Sequence, residues 1–184
     1  MLPPNAKKIF KGLIFDIYQW EQEMFDWTKK IFEKAKRNDS IDVVAISPDW
    51  LIHIVTEEQP GRDMFYWLIW GTCEFWESPL ETAKRELLEE TWLISDDRNL
   101  FKSYTISSRI EQNSHIFIAR NCQKIENQTL DPWGERISYK QVTRKEFLDI
   151  MTNPKFRVWE FALDVFRYLY LNKENEIKKI IFNT

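Results

Sequence analysis

The chain has 184 residues, a formal net charge of −3 and a calculated isoelectric point near 5.6. This length fits one domain that buries its own hydrophobic core without disulfides. Lysine and arginine residues are interleaved with acidic residues, which argues against a broad nucleic-acid-binding surface. Any binding of phosphate groups is therefore expected to be local.

The two cysteines, Cys73 and Cys122, lie far apart and have no CxxC spacing. The sequence therefore predicts neither a disulfide framework nor a zinc site. No apolar run approaches the ~20 residues that a membrane helix needs. The N-terminus also lacks the basic and apolar regions of a signal peptide. These features predict a cytoplasmic protein with reduced thiols and no membrane partner.

The first forty residues favour β-structure. Aromatic and β-branched residues recur in three runs, at residues 9–14, 17–25 and 30–36. In the second run, which contains Trp20, apolar and polar residues alternate. This pattern is typical of antiparallel strands with one solvated face. Its Glu and Gln residues are also compatible with a helix. We favour a small N-terminal antiparallel sheet.

Two further strands, at residues 41–47 and 51–57, are predicted to form a hairpin across a Pro-Asp-Trp turn. A loop then precedes the next predicted strand, at residues 64–68. This loop contains Arg62, whose guanidinium group matches the geometry of paired phosphate oxygens. A solvated loop arginine is an equally good interpretation of Arg62.

Residues 79–91 are predicted to form a helix. Ser78 is a suitable N-cap, Pro79 fits the first helical position, and Glu81 favours the positive end of the helix dipole. The predicted apolar stripe consists of Leu80, Ala83, Leu87 and Leu88.

The opposite face of this helix carries Glu86, Glu89 and Glu90, which helical spacing brings together on adjacent turns. Like charges this close repel one another. Mg²⁺ bound together with substrate phosphates is a common occupant of such carboxylate sites. The alternative, a solvated acidic face, is the commoner meaning of a bare ExxEE pattern.

A longer pattern surrounds these glutamates, at residues 71–93. It resembles the Nudix box, G-x5-E-x7-R-E-U-x-E-E-x-G-U with U aliphatic, and matches every fixed position except the last glycine, which is Trp92. The resemblance implies an α/β Nudix fold, in which a mixed β-sheet lies between α-helices. It also implies hydrolysis of a nucleoside diphosphate linked to another group.

The resemblance further implies roles for individual residues. Mg²⁺, or Mn²⁺ in its place, would be bound by Glu86, Glu89 and Glu90. Of these residues, Glu89 and Glu90 are also the candidates for catalytic proton transfer. Gly71 would begin the box loop, and Glu77 would brace that loop against Arg85.

The segment that contains Arg62 is similar to the E-Q-x-x-R segment of the ADP-ribose pyrophosphatase-like branch of the family. In that branch, N-terminal sheets commonly exchange between two subunits, which implies a homodimer. N-terminal aromatic residues such as Trp20 would stack on the base of the substrate. ADP-ribose-specific members often have a proline where this chain has Arg109, which is a further candidate for substrate binding.

After the box, the sequence predicts strands at residues 100–107, 115–119 and 137–142, and helices at residues 145–151 and 156–171. The turn before the last strand contains Glu135, which resembles a loop acid that some members of the branch use to orient or deprotonate water. A solvated loop carboxylate is an equal alternative for Glu135. His53 and His115 lie in strand-like runs and are interpreted as packed or edge residues.

Tryptophan and glycine occur in an unusual ratio, nine to four, although glycine alone supplies about 7% of residues in typical proteins. We hypothesise that the gene uses UGA for glycine and that UGA was translated as tryptophan. Resemblance to the wider pattern of the family implies glycine at Trp70, Trp76, Trp92 and Trp133, and turn chemistry favours it at Trp27, Trp50, Trp67 and Trp159. In a genuinely tryptophan-rich chain, the alternative, these bulky residues would strain the box loop and the helix end.

Together these features predict an N-terminal sheet extension (residues 1–40), a Nudix core (41–172) and a C-terminal tail (173–184). The predicted reaction is Mg²⁺-dependent hydrolysis of the pyrophosphate in ADP-ribose or a nucleotide sugar. One alternative is a nucleoside triphosphate pyrophosphatase. The other is a catalytically silent nucleotide-binding module, which requires the tryptophans to be genuine.

Overall fold

The computed structural model describes residues 1–58, 61–125 and 136–183, with residues 136 and 137 described by their backbone only. The elements of this part follow one another as β1 (Lys7–Lys11), β2 (Asp16–Glu23), β3 (Lys29–Lys36), β4 (Ser40–Ala45), β5 (Ile52–Glu58), β6 (Phe65–Trp67), β7 (Ile69–Thr72), α1 (Pro79–Thr91), β8 (Leu93–Ile94), β9 (Asp97–Ser107), β10 (Ile110–Arg120), β11 (Gln123–Lys124), β12 (Arg136–Val142), α2 (Arg144–Met151), α3 (Trp159–Tyr170) and α4 (Glu174–Phe182).

The three N-terminal strands pair antiparallel, β1 with β2 and β2 with β3, which confirms the predicted N-terminal sheet. They also continue into the rest of the molecule, because β3 pairs in parallel with the start of β10. The amide of Ala35 donates to the carbonyl of Arg109 across this junction, at 3.0 Å. The N-terminal strands are thus one end of a seven-stranded sheet.

The centre of that sheet is the parallel pair of β4 and β10, flanked by antiparallel β7 and β9. Successive side chains of a strand face opposite sides. On β4, Ile41 and Val43 pack with Ala83 and Leu87 of α1. Val44 faces the other side, where the buried residues of α2, α3 and α4 lie. The predicted mixed sheet between helices is confirmed.

The predicted hairpin of residues 41–57 is wrong in its pairing, although both strands exist. The two are joined only at the turn, by an isolated bridge between Ile46 and Ile52 and by a hydrogen bond from the amide of Ser47 to the carbonyl of Leu51. Both edges of β4 are already occupied, by β10 and β7. The next strand, β5, therefore enters a second sheet, in the order β12-β5-β6.

Helix α1 has the predicted bounds. Ser78 and Glu81 form a reciprocal capping box, in which each side chain accepts a hydrogen bond from the other residue's backbone amide. The predicted apolar stripe is half wrong, because Leu80 and Leu88 are exposed while Ala83 and Leu87 are buried. Polar Thr82 and Thr91 take the remaining buried positions.

Helix α3 starts three residues later than predicted, because the preceding backbone pairs with β6 instead. The amide of Tyr66 donates to the carbonyl of Lys155, and the amide of Arg157 donates to the carbonyl of Tyr66. The C-terminal tail, which had no predicted structure, forms α4. Arg120 holds its end by donating to the carbonyls of Ile180 and Ile181.

Three of the eight tryptophans discussed above have left-handed backbones. The φ angles are 64° at Trp27, 66° at Trp50 and 63° at Trp92. Trp67, Trp70, Trp76 and Trp159 lack a positive φ, so backbone conformation does not favour glycine at these four predicted positions. Trp70 lies in β7, where the extended conformation suits any side chain. Trp133 lies outside the described residues.

Among the described helices, none is long and apolar enough to cross a membrane. Cys73 and Cys122 are both buried free thiols, which agrees with the prediction that they form no disulfide.

Candidate active site

The guanidinium group of Arg85 contacts three acidic side chains, those of Glu77, Glu86 and Glu89. Arg85 donates from Nε and Nη2 to both carboxylate oxygens of Glu77, at 2.8 and 2.9 Å. Its Nη1 donates to Glu86 at 2.8 Å and to Glu89 at 3.0 Å. The paired guanidinium lowers the pKa of Glu77 to about 2. Glu77 is thus charged and joins the box loop to α1.

Glu86 lies directly against the backbone of Gly71 in β7. A Cβ atom at Gly71 would stand 2.1 Å from the carboxyl carbon of Glu86, much closer than atoms can approach. Glycine is therefore required by this close contact rather than by its φ angle. Burial raises the pKa of Glu86, and Arg85 only partly opposes this effect.

Glu90 lies one helical turn further on, beside the same strand. Its carboxylate accepts a hydrogen bond from the backbone amide of Trp70, at 3.3 Å. Burial, followed by repulsion from Glu86, raises the pKa of Glu90 to about 8. Within the described ranges, no lysine, arginine or histidine forms an ion pair with Glu90. Glu90 is thus a half-buried acid without a cationic partner there.

Glu89 has a different position from the other two box glutamates. Its side chain is 59% exposed and contacts Arg85 on the outer surface of the helix. The helical spacing therefore brings Glu86 and Glu90 together against β7, while Glu89 is connected to Glu86 through Arg85.

Two buried acids beside this pair were missed by the sequence analysis. Glu57, on β5, is 1% exposed, and its charge contributes to the raised pKa of Glu90. Asp42, on β4, is 6% exposed and accepts hydrogen bonds from Trp67 Nε1 and Ser114 Oγ, at 2.7 and 2.9 Å. Asp42 had a signal in the sequence, namely an acidic residue within the otherwise apolar run of residues 41–46.

Three other predicted site residues, Arg62, Arg109 and Trp20, form no hydrogen bond or ion pair with the box glutamates within the described residues. Arg62 is exposed, in the loop before β6. Arg109 is exposed at the turn between β9 and β10. Trp20 lies on β2, where its ring packs 6.0 Å from that of Phe32. Glu135 lies outside the described residues.

Both histidines lie in strands. His115, on β10, hydrogen-bonds with Ser103 at 2.7 Å and approaches Asp39 at 3.3 Å. His53, on β5, lies 3.4 Å from the amide nitrogen of Gln141. These contacts agree with their interpretation as packed or edge residues.

No protein-family model and no curated protein matches this chain in sequence. Among solved structures, 221 chains match it. One is the crystal structure of an ADP compounds hydrolase, which superposes with a TM-score of 0.72 over 93% of this chain and 94% of that chain, at 18% identity. The chain has the Nudix fold. The predicted fold class is thereby confirmed.

Within the Nudix fold, the box region concentrates negative charge. Three carboxylates, those of Glu77, Glu86 and Glu89, share the one guanidinium of Arg85, and the carboxylate of Glu90 adds a fourth that has no cationic ion-pair partner in the described part of the chain. The described residues contain no group of three or more His, Cys, Asp or Glu side chains arranged to hold a metal ion. Glu86 and Glu90 nevertheless offer hard oxygen donors and excess negative charge, which suits a divalent cation such as Mg²⁺.

Proposed function

We propose that this protein is a Mg²⁺-dependent hydrolase that cleaves the pyrophosphate of a nucleoside diphosphate derivative. ADP-ribose or a nucleotide sugar is the proposed substrate. The observation that carries the proposal is the pair formed by Glu86 and Glu90, two half-buried carboxylates placed side by side against β7. The fold shared with an ADP compounds hydrolase supports the same class of substrate.

The pair is electrostatically unfavourable in the absence of a ligand. Burial raises the pKa of both acids, Glu86 further raises the pKa of Glu90, and Glu89 and Glu77 further raise the pKa of Glu86. Arg85 is shared with Glu77 and Glu89, so it compensates Glu86 only in part. Such a pair is expected to bind a divalent cation, since the cation would relieve both the repulsion and the desolvation.

Glu86 and Glu90 would hold the metal ion, and Glu89 is the candidate for a further ligand. A bound Mg²⁺ neutralises phosphate oxygens and lowers the pKa of a bound water. The chain's own residues have separate tasks. Arg85 orients Glu86, Gly71 leaves room for its carboxylate, and the amide of Trp70 orients Glu90.

Proton transfer and substrate contacts are assigned by proposal to residues of several elements. Glu90 is the proposed general base, because a cation bound beside it would favour its ionised form, which can accept the proton of the attacking water. Glu89 and Glu135 are the alternatives for this role. Arg62 and Arg109 are proposed to bind phosphates, and Trp20 to stack on the base.

The enzyme is further proposed to act as a cytoplasmic homodimer. Large apolar side chains stand exposed on and beside the N-terminal strands, which supports an interface there. They include Ile9, Phe10, Ile14 and Ile31, all at least half exposed. Exposed apolar patches of this kind are typical of interaction surfaces.

The test of the proposed function is a substrate panel with and without Mg²⁺. ADP-ribose, nucleotide sugars and nucleoside triphosphates would be compared, with product identified by chromatography. We expect Mg²⁺-dependent cleavage of a diphosphate derivative and loss of activity when the metal is chelated. Preference for triphosphates would instead select the pyrophosphatase alternative. Ligand binding without any product would select a silent module.

Glu90→Gln tests the role of the carboxylate directly. We expect turnover to fall by about 10²-fold or more, and the affinity for Mg²⁺ measured by calorimetry to fall with it. The free energy of unfolding is expected to stay equal or rise, because a neutral amide replaces a half-buried acid. Glu176→Gln, an exposed substitution on α4, is the matched control. Near-normal turnover in Glu90→Gln would contradict the assignment.

A further inference from the structure

We infer that the natural polypeptide carries glycine rather than tryptophan at positions 27, 50 and 92. The inference rests on backbone conformation and exposure, and it does not depend on the proposed function. It narrows the codon hypothesis to the three positions where the structure itself supplies the reason.

The left-handed backbone positions of the described residues fall into three groups. One is Gly61, which has no Cβ and adopts this conformation without strain. Asparagine, the residue that otherwise tolerates it best, supplies three positions, namely Asn121, Asn172 and Asn183. The other three are all tryptophan. Bulky residues in this region are genuine outliers, so three tryptophans among seven such positions require an explanation.

Each of the three tryptophans closes a tight turn through its backbone amide. Trp27 donates to the carbonyl of Met24 at 3.0 Å, in the connection between β2 and β3. Trp50 donates to the carbonyl of Ser47 at 3.0 Å, in the connection between β4 and β5. Both are positions where glycine is the usual residue, because a Cβ strains the turn.

Trp92 is the C-cap of α1. Its amide donates to the carbonyl of Leu88 at 2.9 Å, and its φ of 63° ends the helix. Glycine is the residue most often found in a left-handed conformation at a helix C-terminus. A glycine here would end α1 without strain, just after the turn that carries Glu90.

The side chain at Trp27 gains little from being tryptophan, since it is 81% exposed. Large aromatic side chains stabilise proteins mainly by burying their surface. Replacing the Trp27 indole with hydrogen therefore removes little packing while it relieves backbone strain. Trp50 is 47% exposed and its ring packs edge-on against that of Phe182 at 6.1 Å, so the argument at Trp50 rests on the backbone alone.

Two other tryptophans show the contrasting pattern. Trp67 donates from Nε1 to buried Asp42 at 2.7 Å, and its ring packs on that of Phe65 at 5.8 Å. Trp20 packs on Phe32 and donates to Gln22. Both have extended backbones in strands. Within the described residues, Trp67 and Trp20 thus make the ring contacts and indole hydrogen bonds that favour tryptophan, and Trp27 makes neither.

A single cause accounts for all three positions, namely that UGA is read as glycine in the cells that carry the gene. The decisive test is the gene sequence together with the native protein. We expect UGA codons at positions 27, 50 and 92 and a UGG codon at Trp20. Peptide mass spectrometry of protein purified from those cells should then show glycine at all three positions. UGG codons, or tryptophan in the native peptides, would overturn the inference.

Stability measurements on recombinant variants give an independent test. At each of the three positions, the glycine variant should have a folding equilibrium constant about five- to thirtyfold larger than the alanine variant, because only alanine keeps the Cβ that strains the backbone. Trp20 is the matched control, and there the alanine variant should be the more stable. Alanine variants equal to or better than glycine at positions 27, 50 and 92 would contradict the conformational argument.

Discussion

Asp42 illustrates how a buried acid on the central sheet makes stability depend on pH. Burial raises the pKa of its carboxyl to about 6, against an ordinary value of 3.8. Between these values the folded chain keeps the proton while the unfolded chain releases it. The free energy of unfolding therefore falls as pH rises from about 4 to about 6.

Asp42→Asn should remove this dependence. The amide oxygen can still accept from Trp67, and the amide nitrogen can donate to Ser114, so the buried contacts are kept. Above pH 6, we expect the free energy of unfolding of the variant to exceed that of the unsubstituted protein by on the order of 2 kcal/mol. Denaturant unfolding from pH 4 to pH 8 would measure it, with exposed Asp63→Asn as the control. An unchanged pH slope in Asp42→Asn would contradict the prediction.

At Gly71, the addition of a single Cβ atom is expected to lower the stability of the protein. In Gly71→Ala the new Cβ would overlap the carboxylate of Glu86, which must then move away from β7. The expected cost is about 1–3 kcal/mol of stability. A double-mutant cycle with Glu86→Ala tests the reason, because Gly71→Ala should cost almost nothing once the carboxylate is gone. Additive losses would show that Glu86 is not the obstacle.

Among the elements, helix α1 is stabilised by a capping box at its N-terminus. The Ser78 hydroxyl accepts from the amide of Glu81, and the Glu81 carboxylate accepts from the amide of Ser78. Ser78→Ala should lower the free energy of unfolding by about 1 kcal/mol, while Ser78→Gly should cost only a few tenths. Thr143→Ala removes the equivalent capping box of α2 and should behave alike. Equal stability of Ser78→Ala and the unsubstituted protein in thermal unfolding would contradict this view.

Elements without such local signals were predicted less well. The predicted stripe of α1 failed at Leu80 and Leu88, which are exposed, while Thr82 and Thr91 are buried. The start of α3 shifted because the preceding backbone found a partner in β6. Helix α4 is held partly by Arg120, a residue of β10 distant in sequence, so the tail by itself carried no strong signal.

For the whole molecule, the proposed dimer makes a prediction about the N-terminal strands. Ile31 is 67% exposed and Phe10 is 59% exposed, and a partner subunit would cover such side chains. We expect a homodimer at micromolar concentration, measured by size-exclusion chromatography with light scattering. Ile31→Lys should shift it toward monomer, whereas Leu171→Lys, at an exposed site beyond α3, should not. A monomeric unsubstituted protein would contradict the dimer.

The sequence by itself determined α1, its caps and the spacing that brings Glu86 and Glu90 to one side. The brace between Glu77 and Arg85 was an expectation from the resemblance to the Nudix box. These features depend on residues close in the chain, where helical geometry and capping chemistry act without help from distant contacts.

Only the tertiary structure decided which strand pairs with which and what surrounds the carboxylates. It placed β5 in a second sheet, turned Glu89 outward, and buried Asp42 and Glu57 near Glu90. It also showed which tryptophans occupy left-handed backbone. The physical reason is that strand pairing and burial depend on residues far apart in the chain, so their effects on charge and conformation appear only when the sheet assembles.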